Sequence, residues 1–330
     1  MEEINENEAQ FESRIDLSEL SQAVAEVRAE IGKVLVGQHS VVDMLITGIL
    51  ADGHILLEGV PGVAKTLTAK LFAKVLKVDY SRVQFTPDLM PSDVLGTSVF
   101  NQKDGEFEFK PGPVFANVIL IDEINRAPAK TQAALFEVME ERQVTIDGQT
   151  HKMKPPYLVI ATQNPVEQEG TYRLPEAQLD RFLFKLNVDY PSVQDEVAIL
   201  INHHEKKGMM DLSEIKSVLT PKSIKGYKAL VDQVHVEPDM LQYIAQVVNG
   251  TRNHPSLYLG ASPRASVAIL NTAKAFAAIN GRDFITPEDV KFMAIPVMRH
   301  RVILTPESEM EGNSADEIIK EVIAKVEVPR

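Results

Sequence analysis

The chain has 330 residues, a formal net charge of −13 and no cysteine. This length suffices for two domains with a large core, and the negative charge argues against non-specific nucleic-acid binding as the main activity. The lack of cysteine excludes disulfides, thiol catalysis and cysteine-ligated zinc.

The N-terminal residues 1–16 are expected to form a disordered acidic tail, because they are polar and unlike a secretory signal. No stretch of the sequence is long and apolar enough to predict a transmembrane helix. These features favour a cytoplasmic protein.

Two helices precede the first predicted strand. Apolar residues recur at helical spacing within 17–35, and 41–50 has the composition of a second helix. Between them, residues 36–38 are typical of a turn. The apolar run at 54–57 then predicts a short buried strand.

A glycine-rich segment with the sequence GVPGVAKT (59–66) follows that strand and precedes a predicted helix at 66–77. Strand, glycine loop, Lys-Thr and helix is the arrangement of a phosphate-binding loop, although eight residues alone could also form a simple glycine turn. In a phosphate-binding loop, backbone N–H groups surround the β-phosphate, the lysine reaches the β- and γ-oxygens, and the threonine hydroxyl holds Mg²⁺. The residues expected to contact a nucleoside triphosphate are Pro61, Gly62, Val63, Ala64, Lys65, Thr66 and Leu67.

One position departs from the usual loop pattern, because Ala64 lies where a glycine is expected. Glycine at this position gives freedom in φ and close approach to the phosphates. Alanine is therefore expected to fit only if its φ is negative.

The middle of the chain contains further strand signals. A strand is predicted at 80–85, where apolar and polar residues alternate. Two β-hairpins are predicted at 98–109 and 144–153, since each contains an Asp-Gly pair that favours a tight turn.

An acidic motif ends the apolar run 117–121, which is typical of a buried parallel strand whose carboxyl end opens into a site. Asp122 is placed to hold Mg²⁺ through water, and Glu123 to orient and polarise an attacking water. Two solvated acids at a strand end are the alternative, which the upstream phosphate loop disfavours. Together the two motifs predict nucleotide hydrolysis.

The rest of the chain divides into two regions. A helix at 131–141 and buried strands at 157–162 and 182–188 continue the alternation of strands with helices, which predicts a mostly parallel sheet covered on both faces. From about residue 206 onward the pattern is helical. We therefore expect an α/β domain at 17–205 and a smaller all-helical domain at 206–330.

These motifs resemble the MoxR family of AAA+ ATPases over nearly the whole chain, from about Leu17 to Val302. The segments that carry the resemblance are GVPGVAKT (59–66), QFTPDLMPSD (84–93), FKPGPVFANVILIDEINRAPAKTQAALFEVMEE (109–141), ATQNP (161–165), LPEAQLDRFLFK (174–185) and GASPRA (260–265). Alanine at position 64 is normal for that family. The resemblance implies an AAA+ P-loop NTPase core with a parallel sheet flanked by helices, a smaller helical lid, and ATP and Mg²⁺ as cofactors.

The resemblance also implies roles for single residues. Asn164 resembles the polar sensor at the end of the fourth strand, which would hold the attacking water or the γ-phosphate. Arg181 resembles the arginine finger that reaches the neighbouring subunit's nucleotide. Arg264 resembles the second sensor, on a lid helix that folds over the triphosphate. The adenine would lie against Val36, Gly37 and Gln38.

Alternatives remain open at several of these positions. Arg181 could instead bond carbonyl groups at a helix end, and Arg126 or Arg173, near strand ends, could also act across an interface. Gln84 could bond Glu123 and hold it idle, although a solvated or structural glutamine is favoured.

Two further groups of residues have alternative interpretations. The basic run 299–301 is expected to be a solvated helix end, with a lid-to-core or subunit contact as the alternative. Phe100, Phe107 and Phe109 of the first hairpin are expected to be packed, with exposure in a ring pore as the alternative.

The function implied by the resemblance is ATP hydrolysis in a ring, expected to be a homo-hexamer, that remodels or activates a partner protein. This chaperone-like role includes maturation or cofactor insertion of metalloenzymes, and family members commonly act with proteins that carry von Willebrand factor A domains. The alternatives are a nucleic-acid-stimulated motor, since helicases share this branch, and a switch that binds ATP without turnover. The acidic charge disfavours the motor, and the complete set of catalytic residues disfavours the switch.

Overall fold

The computed structural model describes residues 14–60, 62–103, 105–164, 171–172, 174–205 and 212–329. Pro61, Arg173 and residues 1–13 of the expected tail lie outside the described residues. The backbone N–H of Arg14 donates to Asp283 at 2.6 Å, so the described end of that tail is held against the C-terminal half of the chain.

The described residues form a central sheet of five parallel strands and three two-stranded antiparallel pairs. The strands of the central sheet lie in the order Tyr80–Gln84, Val118–Asp122, Leu158–Gln163, His54–Gly59 and Phe182–Val188. The sheet explains the alternation of strands and helices seen in the sequence. The strands are β1 (His54–Gly59), β2 (Tyr80–Gln84), β3 (Gly96–Asn101), β4 (Glu106–Pro111), β5 (Val118–Asp122), β6 (Gln143–Ile146), β7 (Gln149–Lys152), β8 (Leu158–Gln163), β9 (Phe182–Val188), β10 (Leu257–Leu259) and β11 (Ile303–Leu304).

The central sheet is buried on both faces, which is typical of parallel sheets. Leu56 and Val159 belong to the core on one face, whereas Ile55 and Ile160, opposite each other in register, belong to the core on the other. Because the strands are parallel, the carboxyl ends of β2, β5, β8 and β1 lie at the same edge.

Helices cover both faces of this sheet. The N-terminal helices and those between the strands are α1 (Ser18–Gly32), α2 (His39–Leu50), α3 (Lys65–Val75), α4 (Pro91–Leu95), α5 (Ala129–Glu141), α6 (Glu176–Leu179) and α7 (Val193–Glu205). Short 3₁₀ helices occupy Pro113–Phe115, Ile124–Arg126 and Leu212–Glu214.

The C-terminal region is helical, as predicted, except for the β10–β11 pair. These two strands have three and two residues, which is too short for an alternating pattern to be visible in the sequence. None of the helices in the described part of the chain combines the length and hydrophobicity needed to cross a bilayer. The helices of this region are α8 (Pro221–Asp232), α9 (Pro238–Arg252), α10 (Pro263–Ile279), α11 (Pro287–Met298), α12 (Pro306–Met310) and α13 (Ala315–Lys325).

The two antiparallel hairpins, β3–β4 and β6–β7, project from the α/β region. Phe109 is packed as expected, since it stacks on His151 of the second hairpin with ring centroids 4.2 Å apart. The expectation was wrong for Phe100 and Phe107, which are 50% and 72% exposed. These two rings pair across the strands near the hairpin end, where their main aromatic contact is with each other at 5.3 Å.

The helical region is attached to the sheet through a buried arginine. Arg301 pairs with Asp180 at 2.6 Å and donates to the carbonyl groups of Phe182 and Leu183 at 2.6 and 2.9 Å. Nε2 of His300 lies 3.1 Å from the same Phe182 carbonyl. The expectation of a solvated helix end was therefore wrong, and the alternative of a lid-to-core contact is what the structure has.

His54 is a buried histidine at the start of β1. Its Nδ1 accepts from the N–H of Val159 at 3.0 Å, and its Nε2 donates to the carbonyl of Met139 at 3.0 Å. Burial lowers the pKa of His54 to about 4.

The phosphate-loop alanine has a left-handed conformation. Ala64 has φ +58° and ψ 21°, so the expectation of a negative φ was wrong. The chain turns sharply here from the loop into α3, and the carbonyl of Ala64 accepts from the N–H and hydroxyl of Thr68 at 2.9 and 3.0 Å. A left-handed conformation costs an alanine about 1–2 kcal/mol.

Acid is expected to destabilise the protein through His54. The folded state keeps this histidine neutral, whereas the unfolded chain binds a proton below its ordinary pKa of about 6.5. The contribution of His54 to the free energy of unfolding is fully present above about pH 6.5 and is lost as the pH falls towards 4. The loss is about 2–3 kcal/mol between pH 7 and pH 4.5. In urea unfolding, His54→Gln is expected to lose correspondingly less stability over this interval than the wild type. The exposed His204→Gln control should keep the wild-type loss, and an equal loss in His54→Gln would contradict the prediction.

Replacing Ala64 by glycine is expected to remove backbone strain. Glycine adopts positive φ without a Cβ penalty, so Ala64→Gly should leave the free energy of unfolding unchanged or raise it by up to about 1 kcal/mol. The matched control is Ala229→Gly, at an exposed position inside α8, which should lower it by about 1 kcal/mol. Urea unfolding measures both, and an equal loss in the two variants would argue against the positive φ.

Candidate functional site

A cavity of about 410 Å³ opens at the carboxyl ends of β2, β5 and β8, next to the start of α3. This is the edge at which ligands bind in open parallel sheets. Most of the residues predicted from the two motifs converge on it. The lining residues are Gly62, Ala64, Lys65, Thr66, Leu67, Arg82, Gln84, Asp122, Glu123, Thr162 and Asn164.

The phosphate loop and the first turn of α3 form one wall of this cavity. The helix begins at Lys65, so the N–H groups of its first turn and the positive end of its dipole face the cavity. Nζ of Lys65 donates to the carbonyl of Gly59 at 2.5 Å, which keeps the ammonium beside the loop. This arrangement suits a bound phosphate.

Asp122 is buried at the end of β5 and is surrounded by donors. Its Oδ2 accepts from Nε of Arg82 at 2.6 Å and from the hydroxyl of Thr66 at 3.4 Å, and its Oδ1 accepts from the hydroxyl of Thr162 at 3.3 Å. Hard oxygen donors such as the Thr66 hydroxyl and the Asp122 carboxylate fit Mg²⁺. The Arg82 guanidinium already neutralises the same carboxylate, and this hydrogen bond raises the pKa of Arg82.

Glu123 has a left-handed backbone, with φ +56°, which is uncommon for a residue with a Cβ and often occurs at functional sites. Its N–H donates to the hydroxyl of Thr162 at 3.0 Å. Its Oε2 accepts from Nε2 of Gln84 at 2.8 Å and from Nη1 of Arg126 at 3.0 Å. Gln84 is exposed, as the favoured interpretation expects, and it also makes the contact with Glu123 that was the alternative.

Two further predicted elements adjoin the phosphate loop. Asn164 follows β8, is buried and lines the cavity. Gln38 is tied to the loop, since its Nε2 donates to the carbonyl of Val63 at 2.8 Å and its Oε1 accepts from the hydroxyl of Thr68 at 3.2 Å. The segment Val36–Gln38 therefore lies beside the phosphate loop, where the resemblance expects the adenine.

Arg181 and Arg264 line a different cavity, of about 250 Å³, together with His54 and Glu140. Nη2 of Arg264 donates to both carboxylate oxygens of Glu140 at 2.7 Å, and Nε of Arg181 lies 3.9 Å from the same carboxylate. Within this chain, Arg264 therefore lies with Arg181 and away from the phosphate loop over which it was expected to fold. Arg126, the rival for the finger role, is instead paired with Glu123.

The two cavities lie at opposite ends of β1. His54 begins this strand and lines the second cavity, whereas Gly59 ends it and leads into the phosphate loop. Six extended residues span about 17 Å, which is longer than any side chain. Arg181 precedes β9, which runs parallel to β1, so it too is at the amino end.

Three residues that line the two cavities were not predicted from the sequence. Arg82 had a weak signal, because it lies two residues before Gln84 and hence on the same face of the strand. Thr162 belongs to the ATQNP segment and could have been inferred from it. Glu140 is one of two glutamates that end α5, and nothing in the sequence distinguishes it from a solvated residue.

Comparisons with known proteins agree with this architecture. Residues 54–184 match the family model described as the ATPase family associated with various cellular activities (AAA), and residues 249–322 match the AAA lid domain. The crystal structure of a candidate ATPase from Cytophaga hutchinsonii has a TM-score of 0.87 and 42% identity, and the match covers 94% of this chain and 96% of that one.

Two curated relatives extend over most of the chain. The protein YeaC of Bacillus subtilis is 45% identical over 299 residues, which are 91% of this chain and 92% of YeaC. Chaperone MoxR1 of Mycobacterium tuberculosis is 43% identical over 310 residues, which are 91% of this chain and 81% of MoxR1. The cavity at the sheet edge is of the kind that binds nucleotides, and the chain has a helical lid. Because it also has these relatives, the chain belongs to the MoxR family of AAA+ ATPases.

Proposed function

We propose that the protein hydrolyses ATP with Mg²⁺ as a homo-hexameric ring in which each subunit completes its neighbour's site. The observation that carries this proposal is the separation of Lys65, Asp122 and Glu123 from Arg181 and Arg264 along β1. Phosphoryl transfer uses both sets of groups, since the acids serve metal and water while the cations neutralise the transferring phosphoryl group. A single chain thus holds an incomplete site, which a second chain would complete.

Binding of the triphosphate is proposed to use the phosphate loop, Lys65 and the first N–H groups of α3. Thr66 and Asp122 would supply oxygen ligands for Mg²⁺, which neutralises charge on the β- and γ-phosphates when bound. Arg82 would have to yield at least part of its contact with Asp122 as the metal takes its place. Gln38 would hold the adjoining segment against the adenine.

Hydrolysis is proposed to use Glu123 to orient and polarise the attacking water. Gln84 and Arg126 both bond Oε2 of this residue, so the contacts of this oxygen must change before it can accept a proton from water. Asn164 would hold the water or the γ-phosphate, because an amide forms hydrogen bonds without titrating.

The two remaining arginines are proposed to act on the neighbouring subunit's nucleotide. Arg181 would be the finger, and Arg264 would accompany it instead of folding over the nucleotide of its own chain. A guanidinium supplied in trans contributes about 10³–10⁵ to the rate in related phosphoryl transfers. Activity would therefore depend on assembly.

A protein client is proposed because the relative MoxR1 is described as a chaperone. In this proposal, the nucleotide cycle remodels or activates a partner protein, or inserts a cofactor into it. A partner with a von Willebrand factor A domain is proposed from the resemblance to the family.

Glu123→Gln is expected to bind ATP but to lose turnover by at least about 10²-fold, because the amide cannot accept the proton. Lys65→Ala is expected to lose tight ATP binding. Phosphate release and nucleotide binding are measured on the same preparations, with the exposed Glu137→Gln as a control that keeps both. Full turnover in Glu123→Gln would contradict the role of Glu123, and lack of turnover in the wild type would contradict the ATPase proposal.

The same Glu123→Gln variant also captures the client, because it is expected to remain in the ATP-bound state. Affinity isolation from the native lysate, with and without ATP, is read by mass spectrometry. A partner protein enriched only with ATP supports the remodelling role. Recovery of nucleic acid and its binding proteins would instead favour a nucleic-acid motor.

Mixed subunits test whether Arg181 acts in trans. Arg181→Ala keeps the phosphate loop and Lys65→Ala keeps the finger, so each variant is expected to be inactive alone. Random mixing in equal amounts should restore about a quarter of the wild-type activity, because one interface in four then joins an intact loop to an intact finger. Mixing Arg181→Ala with the double variant should restore nothing. If rings mix without any recovery, the trans role is wrong.

A further inference from the structure

Glu140, the penultimate residue of α5, connects the two arginines of the second cavity. Both of its carboxylate oxygens lie 2.7 Å from Nη2 of Arg264, and its Oε2 lies 3.9 Å from Nε of Arg181. Arg181 is also fixed by a hydrogen bond from its Nη1 to the carbonyl of Phe136 at 2.6 Å. Glu140 thus bridges lid helix α10 and the turn before β9.

The charge pattern of this cavity makes Glu140 distinctive. The other two carboxylates that line it pair with other cations, at 2.5–2.7 Å: Asp52 with Arg142 and Lys228, and Asp180 with Arg301. Among the residues that line the cavity, Glu140 is thus the carboxylate that compensates Arg181 and Arg264. One negative charge is shared between two guanidinium groups.

We propose that Glu140 is a positioning residue that holds Arg181 and Arg264 in reserve and releases them to the neighbouring subunit's γ-phosphate. The inference rests on the proposed trans role of these arginines. Glu140 then competes with the nucleotide for the two arginines. Each arginine exchanges the carboxylate of its own chain for the γ-phosphate bound by the neighbouring chain.

The strength of the contact suits such an exchange. The side chains of Arg264 and Glu140 are 46% and 40% exposed, and ion pairs this open to water are weak. The hydrogen bond from Arg264 lowers the pKa of Glu140, which keeps the carboxylate charged near neutral pH. A terminal phosphate carries about two charges and three acceptor oxygens, so it can displace a single carboxylate from both arginines.

The test measures nucleotide-driven assembly of the full chain by analytical ultracentrifugation with a non-hydrolysable ATP analogue. Glu140→Gln keeps the shape of the side chain but removes its charge. We expect half-maximal assembly at about two- to fivefold lower analogue concentration than in the wild type, the factor that corresponds to one exposed ion pair. KM for ATP should fall by a similar factor while kcat changes little. Glu140→Asp should lie between the two, and Glu137→Gln, one turn earlier on α5, should match the wild type.

Repeating the Glu140→Gln substitution in a second variant distinguishes competition from a structural role of Glu140. In Arg264→Met, the main partner of Glu140 is missing, so the effect of Glu140→Gln should shrink towards none. A purely structural effect would persist in both backgrounds. If Glu140→Gln assembled no more readily than the wild type, the inference about Glu140 would be wrong, while the ring proposal would stand. If the wild type did not assemble with the analogue, the ring proposal would fail, and this inference with it.

Discussion

The direction and length of β1 determine how the functional groups of this protein are distributed. Its carboxyl end leads into the phosphate loop, whereas His54 at its amino end lies in the cavity that contains Arg181 and Arg264. Since the neighbouring strands are parallel, each side chain that follows a strand into the nucleotide cavity does so at the same edge. A separation of about 17 Å cannot be crossed by a side chain. The proposed cooperation between chains thus originates in strand geometry and needs no flexible element.

In both cavities, the charged side chains are compensated by partners from the same chain. Asp122 is paired with Arg82, and Glu123 is bonded to Arg126, while Arg264 is paired with Glu140. Both partners of the Arg264–Glu140 pair are exposed, so this pair is weak enough to be exchanged, whereas Asp122 is buried beneath the exposed Arg82. In the proposed cycle, Mg²⁺ and water would replace the partners of the acids, and a phosphate would replace the partner of the arginine. In this proposal, the charges of the isolated subunit are compensated but its catalytic site is incomplete.

The sequence was sufficient to predict the parts of the fold that depend on local patterns. The phosphate loop, the strand that ends at Asp122 and the two hairpins all have short-range signals in glycine, apolar runs and Asp-Gly pairs. Contacts between segments distant in sequence were missed. Glu140 and Arg264 are separated by 124 residues, and the burial of Arg301 depends on Asp180, 121 residues away. The positive φ of Ala64 was also missed, because the turn from the phosphate loop into α3 requires it against the intrinsic preference of alanine.

The lid and the proposed finger are mechanically linked. Arg301 donates to the backbone carbonyls of Asp180, Phe182 and Leu183, the residues that surround Arg181 in the chain. Breaking a buried pair of this kind costs about 3–5 kcal/mol, whereas an exposed pair such as Arg264–Glu140 contributes at most about 1 kcal/mol. When a phosphate competes for the arginines, the exposed contact is therefore the one that yields, and the buried one persists. In the proposed ring, the finger segment and the lid would then move together, so that the state of one subunit's nucleotide would reach the lid of the next.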